Sequence, residues 1–368
     1  MIQISNQHLI VTMTQEGGTL TSIRDAKTGR EYLWQGDPAF WGKHAPILFP
    51  IVGSLRNNMA TSAAGTCEMP RHGLARIVEH KLVEVSEDGS SVTYEITDTP
   101  ESLKAFPFHF KLNMTYALTG DATLTQTFAV TNPGDVALPF SVGGHPAFNV
   151  PAPGAEDEAF EDYELAFTEA WTNEAPIITP DGLMTFEGSY KAPDNSDVLL
   201  ITHRSFDNDA IMFTDVPGST LTLRGRKSGH GVKIDFEGFK YIGVWSAAND
   251  APFVALEPWT GHTTMDTEDD VFEHKVNTIT LAPGETDVRS FAAQVKQALG
   301  CEGLRYAQAK GLDGRKLLGA LATGAAGSKQ MDALGGKILA GDHAPGFFLK
   351  HFVKDMTLAL GESRDSGL

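Results

Sequence analysis

Residues 110–130 read FKLNMTYALTGDATLTQTFAV. Apolar side chains alternate with polar ones from Phe110 to Leu118, which is the period of a half-buried strand. The turn-forming residues 119–121, Thr-Gly-Asp, then lead into a second β-rich run at Leu124–Val130. Two such runs around a short turn predict a β-hairpin.

Similar short apolar runs recur through the first 300 residues, with Gly, Pro, Asn and Asp between them. Many short strands separated by turns predict a mainly β protein, built as a sandwich or a barrel. Helical signals are sparse in this part of the chain, and Val288–Leu299 is the best of them. The further predicted strands are Leu9–Met13, Val92–Ile96, Val198–Thr202, Leu221–Leu223, Val232–Phe236, Tyr241–Trp245, Phe253–Leu256 and Thr278–Leu281.

Composition narrows the class of protein. The chain has 368 residues, of which 41% are apolar and 21% charged, as in an ordinary globular protein. Its two cysteines, Cys67 and Cys301, cannot build a disulfide framework, which fits a reducing compartment. No apolar run approaches the roughly 18 residues of a membrane span, and the first residues lack the pattern of a secretory signal. We therefore expect a cytoplasmic protein that does not enter a membrane.

The charge is distributed unevenly along the chain. Residues 301–368 carry nine Lys and Arg against seven Asp and Glu, which leaves 29−9=20 basic and 47−7=40 acidic residues in 1–300. A body this acidic repels a phosphate backbone, so we expect no nucleic-acid partner. An anionic substrate would need a local basic pocket. The change of sign also predicts a domain boundary, with one domain at 1–299 and a tail at 300–368.

A histidine lies between a Gly-Gly pair and a proline in SVGGHPAFN, residues 141–149. Glycines allow positive φ and the close approach of a ligand, and proline restricts the backbone that follows. His145 is therefore a candidate to give or take a proton, because an imidazole titrates near neutral pH. The alternative is a turn in which His145 only caps the end of a strand.

A glutamate directly follows a wholly apolar run in FVALEPWTGH, residues 253–262. A carboxylate at the end of a buried strand is partly desolvated, which raises its basicity. Trp259, two residues later, has the kind of face that stacks on the apolar side of a sugar ring. The alternative is that Glu257 is structural, with its oxygens bound by backbone amides.

Two further segments carry polar residues between Pro and Gly. Arg56 ends LFPIVGSLR, residues 48–56, and a guanidinium fork suits paired hydroxyls or a carboxylate. His72 lies in MPRHGLAR, residues 69–76. Taken alone, Arg56 is equally well explained as a solvated surface residue, and His72 as an ordinary structural histidine.

An acidic cluster, SFDNDA at residues 205–210, precedes an apolar run. Such a cluster is typical of a solvated loop. Asp207 is close enough to Asp209 that the residues alone do not separate the two.

These segments together resemble the aldose 1-epimerase (galactose mutarotase) superfamily in its shorter bacterial branch, over about residues 1–299. Each motif is weak alone, but five in the family's order over 200 residues are a specific signal. The resemblance implies a large twisted β-supersandwich of the galactose-mutarotase type. The motifs, as they stand in this chain, are LFPxxGxLR, RHGxAR, GGHPxF, NDA and LEPW.

The resemblance also implies a role for each candidate residue. Glu257 would act as the general base and His145 as the general acid. The implied reaction interconverts the anomers of a hexose or related aldose, with one proton carrier on each side of a ring that opens and closes again. The residues that would bind the sugar hydroxyls are Arg56, His72 and Asp209.

Two other interpretations were weighed against this one. The implied reaction requires neither a metal nor a redox cofactor, so we expect none. A zinc site formed by His72, His145 and Glu257 is the obvious rival, but these residues lack the short ligand spacings of such sites. A non-catalytic carbohydrate-binding or sensing protein of the same fold is the stronger alternative. The presence of both Glu257 and His145 favours the enzyme, because a binding protein needs neither proton carrier.

The tail carries a second resemblance. Its segments EGL, GLD, APGFFLKH and KDMTLAL look like the C-terminal helical domain of 3-hydroxyisobutyrate dehydrogenases, with Lys354 and Asp355 matching a pair near the nicotinamide cofactor. The chain has no Gly-x-Gly-x-x-Gly fingerprint, so we expect no binding of NAD or NADP. The tail therefore resembles a fragment fused onto the β domain.

The pattern in the tail is helical. Asp313 is a plausible N-cap, and apolar residues recur at helical spacing after Pro345. A tail of this length has too small a core to bury such an apolar stripe. We therefore expect the tail to dock loosely on the β domain or to associate with another copy of the chain. The stripe consists of Leu349, Phe352, Val353, Met356 and Leu360.

Overall fold

A computed structural model describes residues 1–296, which are mainly β. The expectation of a β protein is therefore confirmed. The strands are β1 (Ile2–Ser5), β2 (Leu9–Met13), β3 (Leu20–Asp25), β4 (Ile47–Leu48), β5 (Met59–Ser62), β6 (Gly65–Glu68), β7 (Lys81–Val85), β8 (Ser91–Thr97), β9 (Lys111–Gly120), β10 (Thr123–Thr131), β11 (Leu138–Phe140), β12 (Gly143–Gly144), β13 (Ala147–Asn149), β14 (Tyr163–Trp171), β15 (Glu174–Ile178), β16 (Met184–Lys191), β17 (Ser196–Leu200), β18 (Ile211–Thr214), β19 (Thr220–Gly225), β20 (Gly231–Asp235), β21 (Tyr241–Trp245), β22 (Phe253–Trp259), β23 (Ile279–Leu281) and β24 (Thr286–Lys296).

Helical structure between residues 1 and 296 is limited to short turns. One α-helical turn, α1 (Ser102–Ala105), precedes β9. No helix in this part of the chain is long and apolar enough to cross a membrane. The 3₁₀ segments are Arg56–Asn58, Ala75–Ile77, Phe160–Asp162, His203–Phe206, Pro217–Ser219 and Phe272–His274.

The larger of the two main sheets has nine antiparallel strands in the order β17-β14-β19-β20-β24-β10-β9-β8-β7. The predicted hairpin lies at its centre, where β9 and β10 pair with Phe128 opposite Met114. Alternate residues of β10 are buried, and the others are only partly exposed. Period-2 alternation therefore placed this hairpin correctly.

The predicted helix at Val288–Leu299 is wrong over the residues that the structure describes. They form β24, which pairs with β10 on one side and β20 on the other. Phe291, Ala293 and Val295 are buried, whereas Val288 is 61% exposed. Over so short a run the apolar positions fit both the period of a helix and that of a strand. Pairing with two neighbouring strands favours the strand.

The second main sheet contains Glu257, and His145 directly follows one of its strands. It has the strand order β18-β21-β22-β12-β4, and β13 also pairs with β22. Every pairing in it is antiparallel. Strand β22 is buried along its whole length, as expected for an apolar central strand.

The two main sheets share one hydrophobic core. Phe128 and Phe291 of the nine-stranded sheet belong to the same buried cluster as Ile47 and Leu256 of the other sheet. A Cβ on Gly144 would lie 2.6 Å from the ring of Phe291. Gly144 lies in strand β12 and is not among the glycines with positive φ, so what it provides is close approach between sheets.

The predictions for the tail lie outside the described residues. They include the helical appendage, the N-cap at Asp313 and the apolar stripe from Leu349 to Leu360. The domain boundary at residue 300 stays a prediction.

Candidate active site

A cavity of about 230 Å³ lies at the six-stranded sheet. Strands and loops that are distant in sequence supply its walls, and three tryptophans are among the lining residues. Such a cavity, mainly apolar with a few converging polar groups, is the usual form of a small-molecule site. The lining residues are Trp41, Arg71, His72, Arg76, His145, Asp209, Ala210, Trp245, Glu257 and Trp259.

Glu257 lies in the middle of β22, opposite Gly243 of β21. Only 2% of its surface is exposed. Burial raises the pKa of this carboxyl well above its usual value, and the nearby Arg71 guanidinium opposes that shift only in part. A carboxylate with a raised pKa is a stronger base, which is the property proton abstraction needs.

His145 immediately follows β12 and reaches the same point of the cavity. Its Nε2 lies 3.2 Å from Oε1 of Glu257. The imidazole stacks on Trp41, with ring centres 5.0 Å apart, and its Nδ1 has no hydrogen-bond partner among the described residues. Burial lowers the His145 pKa to about 3. The protonated ring is therefore a strong acid.

His72 is held in the left-handed region, with φ of 68°. A non-glycine residue in this conformation is uncommon and is frequently found at functional sites. The backbone N–H of Gly53 donates to His72 Nδ1 at 3.1 Å, which fixes the ring. Its ring centre lies 5.8 Å from that of His145, and the two planes are perpendicular.

Asp209 is also left-handed, with φ of 75°. Arg71 donates to both of its carboxylate oxygens, at 3.0 and 3.2 Å. Asp207 is exposed and does not line the cavity. The structure thus brings Asp209, rather than Asp207, to the cavity.

Arg56 is the predicted site residue that the structure does not bring there. Its Nε donates to both carboxylate oxygens of Asp270, and one of its terminal nitrogens donates to three backbone carbonyls. Those carbonyls belong to Met265, Asp266 and Glu268. These five contacts all go to one loop, so the guanidinium ties that loop to the segment after β4.

Several cavity residues were not selected from the sequence. Arg71 and Arg76 lie in the RHGxAR motif beside His72, so the motif contained a signal for both. Trp41 lies in a segment with no distinctive pattern, and Trp245 ends a predicted strand without any feature that marks a site. Only the fold brings their rings together, edge to face at 5.3 Å.

His145 and Glu257 are in direct contact, so the two predicted proton carriers do not lie on opposite sides of an open space. This arrangement still suits a pair of transfers, since the ring oxygen and the anomeric hydroxyl of an aldose are bonded to one carbon. Within residues 1–296, no group of three His, Cys, Asp or Glu side chains has the geometry to hold a metal ion. The described residues therefore define a β-sandwich protein whose cavity holds a carboxyl–imidazole pair.

Comparison with known proteins identifies the family. Residues 1–286 match the family described as aldose 1-epimerase, and the chain belongs to that family. Two curated relatives, the chromosomal and plasmid forms of protein LacX from Lactococcus lactis subsp. lactis, are each 39% identical over 297 residues. The match covers 79% of this chain and 97% of each relative.

Solved structures agree with this assignment. A galactose mutarotase related enzyme from Lactobacillus acidophilus matches with a TM-score of 0.74 and 29% identity, over 81% of this chain and 98% of that one. A galactose mutarotase-like protein from Lactobacillus casei matches with a TM-score of 0.72 and 30% identity, over 80% and 100% of the two chains. The predicted galactose-mutarotase-like fold is confirmed.

The tail has its own match. Residues 290–368 match the family described as the NAD-binding domain of NADP-dependent 3-hydroxyisobutyrate dehydrogenase. A 3-hydroxyisobutyrate dehydrogenase-like protein from Arabidopsis thaliana is 52% identical over 67 residues, which is 18% of this chain and 20% of the relative. The second resemblance is confirmed, and it extends over only a fifth of that relative.

Proposed function

We propose that this protein is an aldose 1-epimerase, which interconverts the α and β anomers of a hexose or a related aldose. The observation that carries the proposal is the contact between His145 Nε2 and Glu257 Oε1, at 3.2 Å inside the cavity. Both side chains are buried, and a protein that only binds sugar gains nothing from two desolvated titratable groups. Membership of the aldose 1-epimerase family supports the same activity.

The reaction needs two coupled proton transfers. Glu257 takes the proton of the anomeric hydroxyl while His145 gives a proton to the ring oxygen. The bond between the anomeric carbon and the ring oxygen breaks as the carbonyl forms. After rotation of the aldehyde the two residues exchange roles, and closure on the other face restores both protonation states.

The pair works with one shared proton. Burial raises the pKa of Glu257 and lowers that of His145, and both shifts favour the shared proton on the carboxyl, where both groups are neutral. Transfer across the contact produces the carboxylate and the imidazolium that ring opening uses. The two groups titrate as a pair rather than singly.

The remaining lining residues suit a sugar. His72 and Asp209 offer one donor and one acceptor group to hydroxyls. Trp41, Trp245 and Trp259 provide aromatic surface for the apolar face of the ring. Arg56 has no part in this proposal, because it does not line the cavity and its Nε and one terminal nitrogen bind a loop elsewhere.

Polarimetry of freshly dissolved α-glucose and α-galactose tests the proposal. The parent protein should speed the approach to equilibrium, and Glu257→Gln or His145→Asn should lower that rate by on the order of 10² or more. Glu164→Gln is a matched control, because Glu164 is a buried carboxylate that pairs with Arg224 and does not line the cavity. It should keep the parent rate.

The outcome separates the enzyme from a sugar-binding protein. A parent protein that binds aldoses but leaves the spontaneous rate unchanged would establish the binding protein and end the proposal. A Glu257→Gln variant that is folded by circular dichroism and keeps the parent rate would show that the carboxylate is not the base.

A further inference from the structure

The ring of His72 has a defined tautomer. The backbone N–H of Gly53 points at Nδ1 from 3.1 Å, so Nδ1 accepts and carries no proton. Burial lowers the pKa of His72 well below its usual value, which keeps the ring neutral. A neutral imidazole has one N–H. That N–H is therefore on Nε2.

The side chain of Arg71 aims a second donor at the same place. Its Nε–H is directed at His72 Nε2 from 3.3 Å, although a protonated Nε2 cannot accept it. The two terminal nitrogens of Arg71 hold Asp209, so the guanidinium cannot turn away without losing that bidentate contact. Arg71 and His72 both line the cavity.

We propose that Arg71 Nε and His72 Nε2 together clamp one oxygen of the substrate, which makes Arg71 a specificity-determining residue. This inference rests on the proposed function and extends it. Two N–H groups that face each other with no acceptor between them are satisfied only when an oxygen accepts from both. The guanidinium also holds Asp209, whose carboxylate is an acceptor for a neighbouring hydroxyl.

The clamp predicts which substrates are accepted. Because both groups are donors, the site requires an oxygen with free lone pairs at one position of the ring. Removal of that oxygen leaves the buried N–H of His72 unsatisfied and removes a charge-assisted hydrogen bond from the half-exposed Arg71. The 1-epimerase rate should therefore fall for one deoxy sugar far more than for the others.

The test measures kcat/KM for the intact sugar and for each singly deoxygenated analogue, with the parent protein and with variants of Arg71. For the parent protein, kcat/KM should fall by about 10- to 100-fold for one singly deoxygenated analogue, the loss expected for a hydrogen bond to a charged group. Arg71→Met should lower kcat/KM for the intact sugar by a similar factor and should show little further loss with that analogue. Ratios between substrates within one variant cancel any loss of folded protein.

Two further variants complete the design. Arg204→Met is the matched control, because Arg204 is exposed and does not line the cavity, and it should retain the parent pattern. Arg71→Lys keeps a positive charge near Asp209 but lacks the planar fork, so it should lose the discrimination as Arg71→Met does.

Three results would overturn the clamp. If each deoxy sugar lowers kcat/KM by the same factor in Arg71→Met as in the parent protein, Arg71 does not contact the substrate. If Arg71→Lys still distinguishes the intact sugar from the deoxy sugar as the parent protein does, a positive charge beside Asp209 is sufficient and the planar fork of arginine is not needed. If the parent protein has no turnover, the proposed function is wrong, and the dissociation constants of the same sugars and variants are then measured by NMR titration. If the Arg71 substitution and the removal of the sugar hydroxyl have independent effects on those constants, the clamp is wrong as well.

Discussion

Replacement of Arg56 by methionine should weaken the fold and leave sugar turnover intact. The family motif implies that Arg56 binds the sugar, but its guanidinium is directed at the loop of Met265–Asp270. Asp270 is itself left-handed, with φ of 60°, so the loop has a strained residue at the point where Arg56 holds it.

The size of the effect follows from the contacts. The pair with Asp270 is partly exposed, with 27% and 37% of the two side chains accessible, so it contributes about 1 kcal/mol or less. The three bonds to carbonyls are charge-assisted and would be stronger if buried, but partial exposure reduces each to about 0.5–1 kcal/mol. The free energy of unfolding should therefore fall by roughly 2–4 kcal/mol.

Calorimetry and polarimetry provide the two readouts. The expected loss lowers Tm by roughly 3–6 °C for a protein of this size. The Michaelis constant for the sugar and kcat should stay within about twofold of the parent values, because Arg56 does not line the cavity. Arg226→Met is the matched control, since Arg226 also donates to backbone carbonyls but is exposed, and it should change Tm by less.

One result would refute this reasoning. A Michaelis constant that rises about tenfold with Tm unchanged would correspond to a lost contact with the sugar of about 1.4 kcal/mol. Arg56 would then reach the substrate as the motif implies, and the loop contact would not describe the working protein.

Further predictions concern packing, pH and the tail. Gly144→Ala should destabilise the protein by about 1–3 kcal/mol in urea unfolding, because the added methyl meets Phe291, whereas Gly42→Ala, with only ordinary contacts, should be near neutral. Turnover should fall on both sides of a pH plateau. The acid limb should lie below the ordinary imidazole pKa, because burial lowers the His145 pKa to about 3. The alkaline limb should lie above the ordinary carboxyl pKa, because burial raises the pKa of Glu257. A single limb at the ordinary imidazole pKa would contradict the shared-proton pair. Burial raises the pKa of Glu257, so the parent protein loses stability as pH rises above the ordinary carboxyl pKa. Glu257→Gln should therefore gain Tm relative to the parent protein as pH rises above that value, and no gain would show that burial does not penalise the charge. Truncation after Leu299 should retain near-parental mutarotation and reduce self-association in sedimentation, and loss of turnover in a folded truncated protein would assign the tail a part in the site. Calorimetric titration of the full chain with NAD or NADP should show no micromolar binding, because no Gly-rich turn provides the pyrophosphate site.

Local patterns in the sequence were sufficient to predict the class of fold. The alternation from Phe110 to Leu118 specifies a strand with one buried face wherever that strand is placed, and β9 has that burial pattern. The segments around His145 and Glu257 were found for a related reason. Each joins an apolar strand to a Pro or Gly corner, and such a junction is visible without any knowledge of the partner strands.

The sequence could not predict what depends on partners far along the chain. The contact of His145 with Glu257 joins residues that lie 112 positions apart, and it exists because β12 and β13 both pair with β22. The run at Val288–Leu299 is a strand because β10 and β20 hold it on both sides. Arginines in two motifs have the same chemistry, so only the direction of each guanidinium separates Arg56 from Arg71.

The sequence by itself thus determined the β class and the family motifs, and it pointed to His145 and Glu257 as candidates, because these depend on side-chain type and local period. The tertiary structure decided which residues share the cavity. It assigned Arg71 to Asp209 and Arg56 to a distant loop, and it set the tautomer of His72 through the amide of Gly53. The pKa values of Glu257 and His145 also belong to the fold, because burial shifts both and burial is a property of the packed sheets.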